Sequence, residues 1–192
     1  MERLLELFAG LLEYPRPELP WMARECELQA AVPEAVNGLR EFRRFVEQTP
    51  PAELEEAYTA AFDLGADRCP YVGYHLFGDG YARSAFLQEL KRRFRERGLE
   101  TGSELPDHLS CLLRFASACG AGEERREIVD EAILPALRRM TAGAAAPGDS
   151  AGAPAADTVG TAAADAAGEG GAGSPDAYAG LLQALAAVLA GG

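Results

Sequence analysis

Two histidines, His75 and His108, are the chain's side chains that titrate closest to neutral pH, and each sits among other reactive groups. The stretch CPYVGYHLFGDG, residues 69–80, places Cys69 six positions before His75, with Tyr71, Tyr74, Phe77 and Asp79 alongside. The stretch ELPDHL, residues 104–109, sets Pro106 and Asp107 directly before His108. A Cys69–His75 pair suggests nucleophilic chemistry, with the imidazole taking the thiol proton. The remaining parts of such a site are missing: there is no glycine-rich phosphate cradle and no recognisable oxyanion hole. The histidines together with Asp63, Asp79 or Asp107 offer metal-ligating atoms, yet without the spacing that marks a metal site. The four cysteines, Cys26, Cys69, Cys111 and Cys119, include no C-x-x-C. Cys111 and Cys119 share a helical face but stand about 12 Å apart along it, too far for a disulfide. The expectation is reduced thiols in a core, no catalytic residues, no metal and no cofactor.

Recognition is the chemistry that remains. Tyr71, Tyr74 and Phe77 recur three apart, as on one face of a short helix, just after the sequence AYTAAFDLG gives way to a Cys-Pro loop. Aromatic rings and carboxylates around a groove suit an apolar, basic peptide. Asp107 has a simpler role open to it: a carboxylate in the first turn of a helix is favoured by the dipole.

The elements that would position these groups read as helix after helix. Leu4, Leu5, Leu7, Phe8, Leu11 and Leu12 form an amphipathic first helix that stops at Tyr14-Pro15. A short helix is expected around Trp21 to Ala31. Another, opened by Pro33, carries Val36, Leu39, Phe42, Phe45 and Val46, and the next follows Pro50-Pro51 with Leu54, Tyr58, Ala61 and Phe62 on one side. A long helix spans Tyr81 to Arg97 and closes at Gly98, and its basic run KRRFRER reads as a solvated face with Phe94 turned inward. Ser103 and Pro106 mark the next start, for a helix carrying Leu109, Leu112, Leu113 and Ala116. The last body helix runs from about Glu123 to Met140, with a kink expected at Pro135. Period-two alternation is absent, so the fold class expected is all-α, a single-domain helical bundle.

Composition sets the organisation. The 192 residues suffice for one core. Residues 1–140 form the helical body, and 141–174, an Ala/Gly-rich stretch poor in large apolar residues, read as a disordered linker. Residues 175–192 regain a stripe of Tyr178, Leu181, Leu182, Leu185 and Val188, with Ser174 as N-cap, and this C-terminal helix is expected to fold back on the body. A formal net charge of −12 argues against nucleic acid and for a basic partner. The first segment carries Glu2, Glu6 and Glu13 and no small-residue cleavage site, so a cytoplasmic protein is expected.

Y-x-x-x-F-D at 58–63, C-P-Y-V-G-Y-H-L-F-G at 69–78 and E-L-P-D-H-L at 104–109, in that order, resemble the NarJ family. These are the delta-subunit-type chaperones of respiratory nitrate reductase, within the TorD and DmsD group of molybdoenzyme maturation chaperones. The resemblance covers residues 1–140 and the terminal helix. It implies an all-helical, non-catalytic cytoplasmic chaperone. Its implied partner is the apo catalytic subunit of a molybdoenzyme, held by its N-terminal peptide until the molybdenum cofactor is inserted and before membrane attachment or export. It also implies that Tyr58 and Phe62 face a peptide groove, that Pro70 and Tyr71, with Tyr74 beside them, form its loop, and that Pro106, Asp107 and His108 complete it. Asp107 would pair the peptide's cation, and protonation of His108 would oppose it. The chain departs from the family pattern in the length of its Ala/Gly-rich insertion and in its aromatic loop, which the TorD type replaces with a shorter acidic one. A helical adaptor binding some other peptide is the alternative reading.

Overall fold

The computed structural model describes residues 1–64, 66–142 and 177–191, all within one all-helical unit. The first helix, α1 (Glu2–Leu11), buries Leu4, Leu5, Leu7, Phe8 and Leu11 along one stripe, as 3.6-residue periodicity dictates. Helix α2 (Leu19–Gln29) begins two residues before Trp21, because Pro20 at its first turn needs no donor there and presets φ. Helix α3 (Pro33–Gln48) buries Ala35, Leu39, Phe42 and Val46, and α4 (Pro51–Phe62) buries Leu54, Tyr58 and Phe62. Both open on a proline.

After a 3₁₀ turn at Ala66–Arg68 comes the short α5 (Val72–Phe77), then α6 (Tyr81–Glu96). Gly98, at φ +66°, turns the chain out of α6 in the left-handed region that a side chain would resist. In the basic run of α6, Phe94 stacks on Phe115 at 5.0 Å, while Arg92, Arg93 and Arg97 are each paired with glutamates.

Helix α7 spans Leu109–Ala118, later than the start expected at Ser103 or Pro106. The reason lies in the preceding backbone. Val72 N–H donates to Asp107 O and Leu109 N–H to Pro70 O, both at 2.8 Å, while His108 N–H closes a tight turn on Leu105 O at 3.0 Å, so this backbone is a turn bridged to the Cys-Pro loop at His108 and the helix begins only after it. The last body helix is divided into α8 (Glu123–Ile128), a π-helical turn (Val129–Ile133) and α9 (Leu134–Ala142). Pro135, which lacks an N–H and crowds the carbonyl four residues back, accounts for the wide turn just before it.

Helix α1 packs on α7 and α2, and α3 packs on α2. Helix α10 (Ala177–Ala190) lies across α3 and α9, burying Tyr178, Leu181, Leu182, Leu185 and Val188. The linker expected at 141–174, apart from its first two residues, and the N-cap expected at Ser174 lie outside the described residues.

Candidate functional site

The antiparallel bridge between Tyr71 and His108 joins the two aromatic and acidic stretches that lie far apart in sequence. Their side chains interlock around it. Tyr71 meets the His108 ring edge-on at 5.4 Å and donates its hydroxyl to Glu104 at 3.1 Å. Burial and the Glu104 carboxylate raise the Tyr71 phenol to about 12, so it remains a donor at any physiological pH. The Arg83 guanidinium lies 5.5 Å over the Tyr71 ring, donates Nε to Asp107 at 3.0 Å and reaches Asp79 at 2.8 Å.

His108 caps α7. Its Nδ1 accepts the Ser110 backbone N–H at 3.2 Å and lies 2.7 Å from the Ser110 hydroxyl, which places the ring proton on Nε2. Burial pushes its pKa down.

This bridge forms one wall of a groove of about 850 Å³. Tyr14 and Tyr58, packed edge-on at 5.5 Å, form part of another, together with Phe94, Leu99 and the 99–104 loop. Its charge is unbalanced: Glu13, Asp63, Glu100 and Glu104 line it against Arg16 and Arg114, and Glu13 already pairs with both arginines. Asp63 and Glu100 are exposed and form no ion pair among the described residues. The groove can therefore receive a cation and apolar side chains together.

Of the residues expected at a peptide groove, Tyr58, Pro70, Tyr71 and His108 line it. The others lie elsewhere. Phe62 is buried beneath Tyr178 of α10 at 5.0 Å between centroids, and Tyr58 also meets Tyr178, at 5.9 Å. Tyr74 packs beside His75, and Pro106 is buried behind the bridge. Asp107 is fully buried, its carboxylate bonded to Arg83 and, through Oδ2, closely facing Gly73, where a Cβ would come within 2.7 Å. It also stands before α7, outside the first turn. Its cation is thus an internal one, and the uncommitted acids of the groove are Asp63 and Glu100. Tyr14, Glu13 and Arg114 escaped sequence reasoning because they join the site only through the packing of α1 on α7. The acidic rim beyond Gly98 was visible in the sequence as Glu100 and Glu104 flanking a glycine and a serine.

The Cys69–His75 pair is close, Sγ to Nε2 at 3.7 Å, but Nε2 donates to the Cys69 carbonyl at 2.7 Å. With its Nε2 proton committed there and the thiol pKa raised by burial, the imidazole is not placed to take the thiol proton. Cys26, Cys69, Cys111 and Cys119 are all free thiols. Among the described residues, no three histidine, cysteine or acidic side chains converge as a metal site. Likewise, no helix among them is long and apolar enough to cross a membrane.

Comparison with known proteins places the sequence among named relatives. Residues 25–146 match the family described as nitrate reductase delta subunit. Over 136 residues the chain is 35% identical to the probable nitrate reductase molybdenum cofactor assembly chaperone NarJ of Bacillus subtilis (strain 168). That match covers 68% of this chain and 72% of the relative.

Proposed function

The chain belongs to the nitrate reductase delta subunit family, and from that membership we propose that it is a non-enzymatic assembly chaperone for a respiratory molybdoenzyme. Its client is the apo catalytic subunit, that of nitrate reductase before any other, engaged in the cytoplasm through the client's N-terminal peptide. Holding that peptide keeps the subunit open for molybdenum cofactor insertion and delays its attachment to the membrane or export. The chaperone contributes no cofactor of its own.

The observation that carries this reading is the groove itself, where aromatic walls from Tyr14, Tyr58 and Tyr71 stand beside the uncommitted carboxylates Asp63 and Glu100. A peptide that is basic and then apolar is complementary to both features. His108 contributes one wall and Pro70 the turn that presents Tyr71.

The test is capture from cells grown without oxygen on nitrate, using the full chain and an Asp63→Asn, Glu100→Gln double variant. Both substitutions are at exposed positions and leave the core intact. The wild type is expected to retain a cofactor-poor molybdoenzyme catalytic subunit, and the variant to retain several-fold less. Absence of any such subunit, or equal capture by the variant, would overturn the groove assignment.

A further inference from the structure

A second cavity, of about 500 Å³, lies near the start of α1 and shares no lining residue with the groove. It is lined by Arg125, Arg126 and Arg138, with apolar walls from Leu5, Val129, Leu134 and Leu189. Elsewhere Arg16, Arg40, Arg43, Arg83, Arg92, Arg93, Arg97 and Arg114 each find a carboxylate. Among the described residues the guanidinium groups of the three at this cavity form no hydrogen bond or ion pair, and Nη1 of Arg125 is buried without a partner. An unpaired buried guanidinium N–H is costly, which marks it as a group awaiting an acceptor.

The helix explains how they come together. Glu124 and Glu127 turn toward α6, where they pair with Arg97 and Arg93, leaving Arg125 and Arg126 on the other side. Arg125, Val129, Leu134 and Arg138 then follow spacings of four, five and four. The five falls on the π-helical turn at Val129–Ile133, whose extra residue brings Leu134 and Arg138 into line with Arg125. In an unbroken α-helix, Leu134 would be rotated about 140° away from Val129. The irregular turn is therefore what completes the cationic wall.

We propose that this cavity binds a small phosphate-bearing ligand with an apolar or planar body, of nucleotide size. Guanidinium forks match phosphate oxygens in pairs, and three of them exceed what a single carboxylate would use. Asp130, an exposed carboxylate at the rim, offsets one of the three charges and leaves the cavity cationic. Leu5, Val129, Leu134 and Leu189 supply the surface for the uncharged part, in a volume ordinary for such ligands.

Calorimetric titration of the full chain with ADP, inorganic pyrophosphate and adenosine tests this. ADP is expected to bind saturably, pyrophosphate more weakly, and adenosine not at all. Arg126→Gln and Arg138→Gln, at exposed positions that do not endanger folding, should each weaken ADP binding about tenfold. Arg125→Gln should do the same at an unchanged thermal midpoint. Three results would each overturn the proposal: no saturable binding of ADP, equal affinity in the Arg126→Gln, Arg138→Gln double variant, or adenosine binding as tightly as ADP.

Discussion

At the scale of single residues, His108 couples the groove wall to the stability of the fold. It is buried neutral, with Nδ1 accepting the N–H that opens α7, and burial sets its pKa below the ordinary 6.5. His75 is lowered in the same direction and for the same principal cause. A lowered native value means that the unfolded chain takes the proton first as the pH falls. Stability is therefore whole above about 6.5 and declines from there toward the lower native value. Protonating Nδ1 also removes the acceptor of the Ser110 N–H, so the cap is lost with the neutral ring. The thermal midpoint should fall between about pH 7 and pH 5, and the fall should be smaller in His108→Asn, which keeps a capping oxygen and does not titrate. An equal fall in both proteins would remove His108 from the account and leave His75 to carry it.

At the scale of elements, α3 and α10 cross in close contact at Gly38 and Gly180. A Cβ on Gly38 would stand 2.7 Å from the Gly180 carbonyl oxygen, whereas a Cβ on Gly180 would meet nothing nearer than the Gly38 Cα at 3.9 Å. Both glycines are helical, so propensity alone predicts that alanine stabilises either site by up to about 1 kcal/mol. Packing separates them. Gly38→Ala must push the two backbones apart, and a loss of about 1 to 3 kcal/mol is expected in chemical denaturation. Gly180→Ala should be neutral or stabilising, and a similar loss in both variants would contradict the crossing described here. The stripe of α10 was fully legible in its apolar spacing, but what it covers was not. Periodicity names the face of a helix and says nothing of its partner, so the burial of Phe62 under Tyr178 emerged only from the packing. For the same reason the start of α7 was misplaced: Pro106, Asp107 and His108 look like a first turn until the long-range bridge to Pro70 and Val72 claims their backbone.

At the scale of the whole molecule, the all-helical fold was legible because each apolar stripe repeats at helical spacing and proline or glycine punctuates many of the ends. The site was legible in part. The two motifs that build its wall stood out by composition, yet Arg83, the cation that neutralises Asp107, lies on a different helix and carries no local mark. On the proposed function, the consequence is that client attraction would rest less on Asp107 than on the field of the whole chain, whose formal charge is −12. A groove open to solvent and lined by unpaired Asp63 and Glu100 focuses that field on an approaching cationic peptide. Such steering acts before contact, over distances comparable with the Debye length of about 10 Å at 0.1 M salt. Raising salt from about 0.02 M to 0.5 M should therefore slow association of a basic client peptide by about tenfold or more, with dissociation changing far less. Stopped-flow fluorescence of the labelled peptide separates the two rates. An unchanged association rate with faster dissociation would mean that short-range ion pairs inside the groove, rather than the acidic molecule as a whole, select the client.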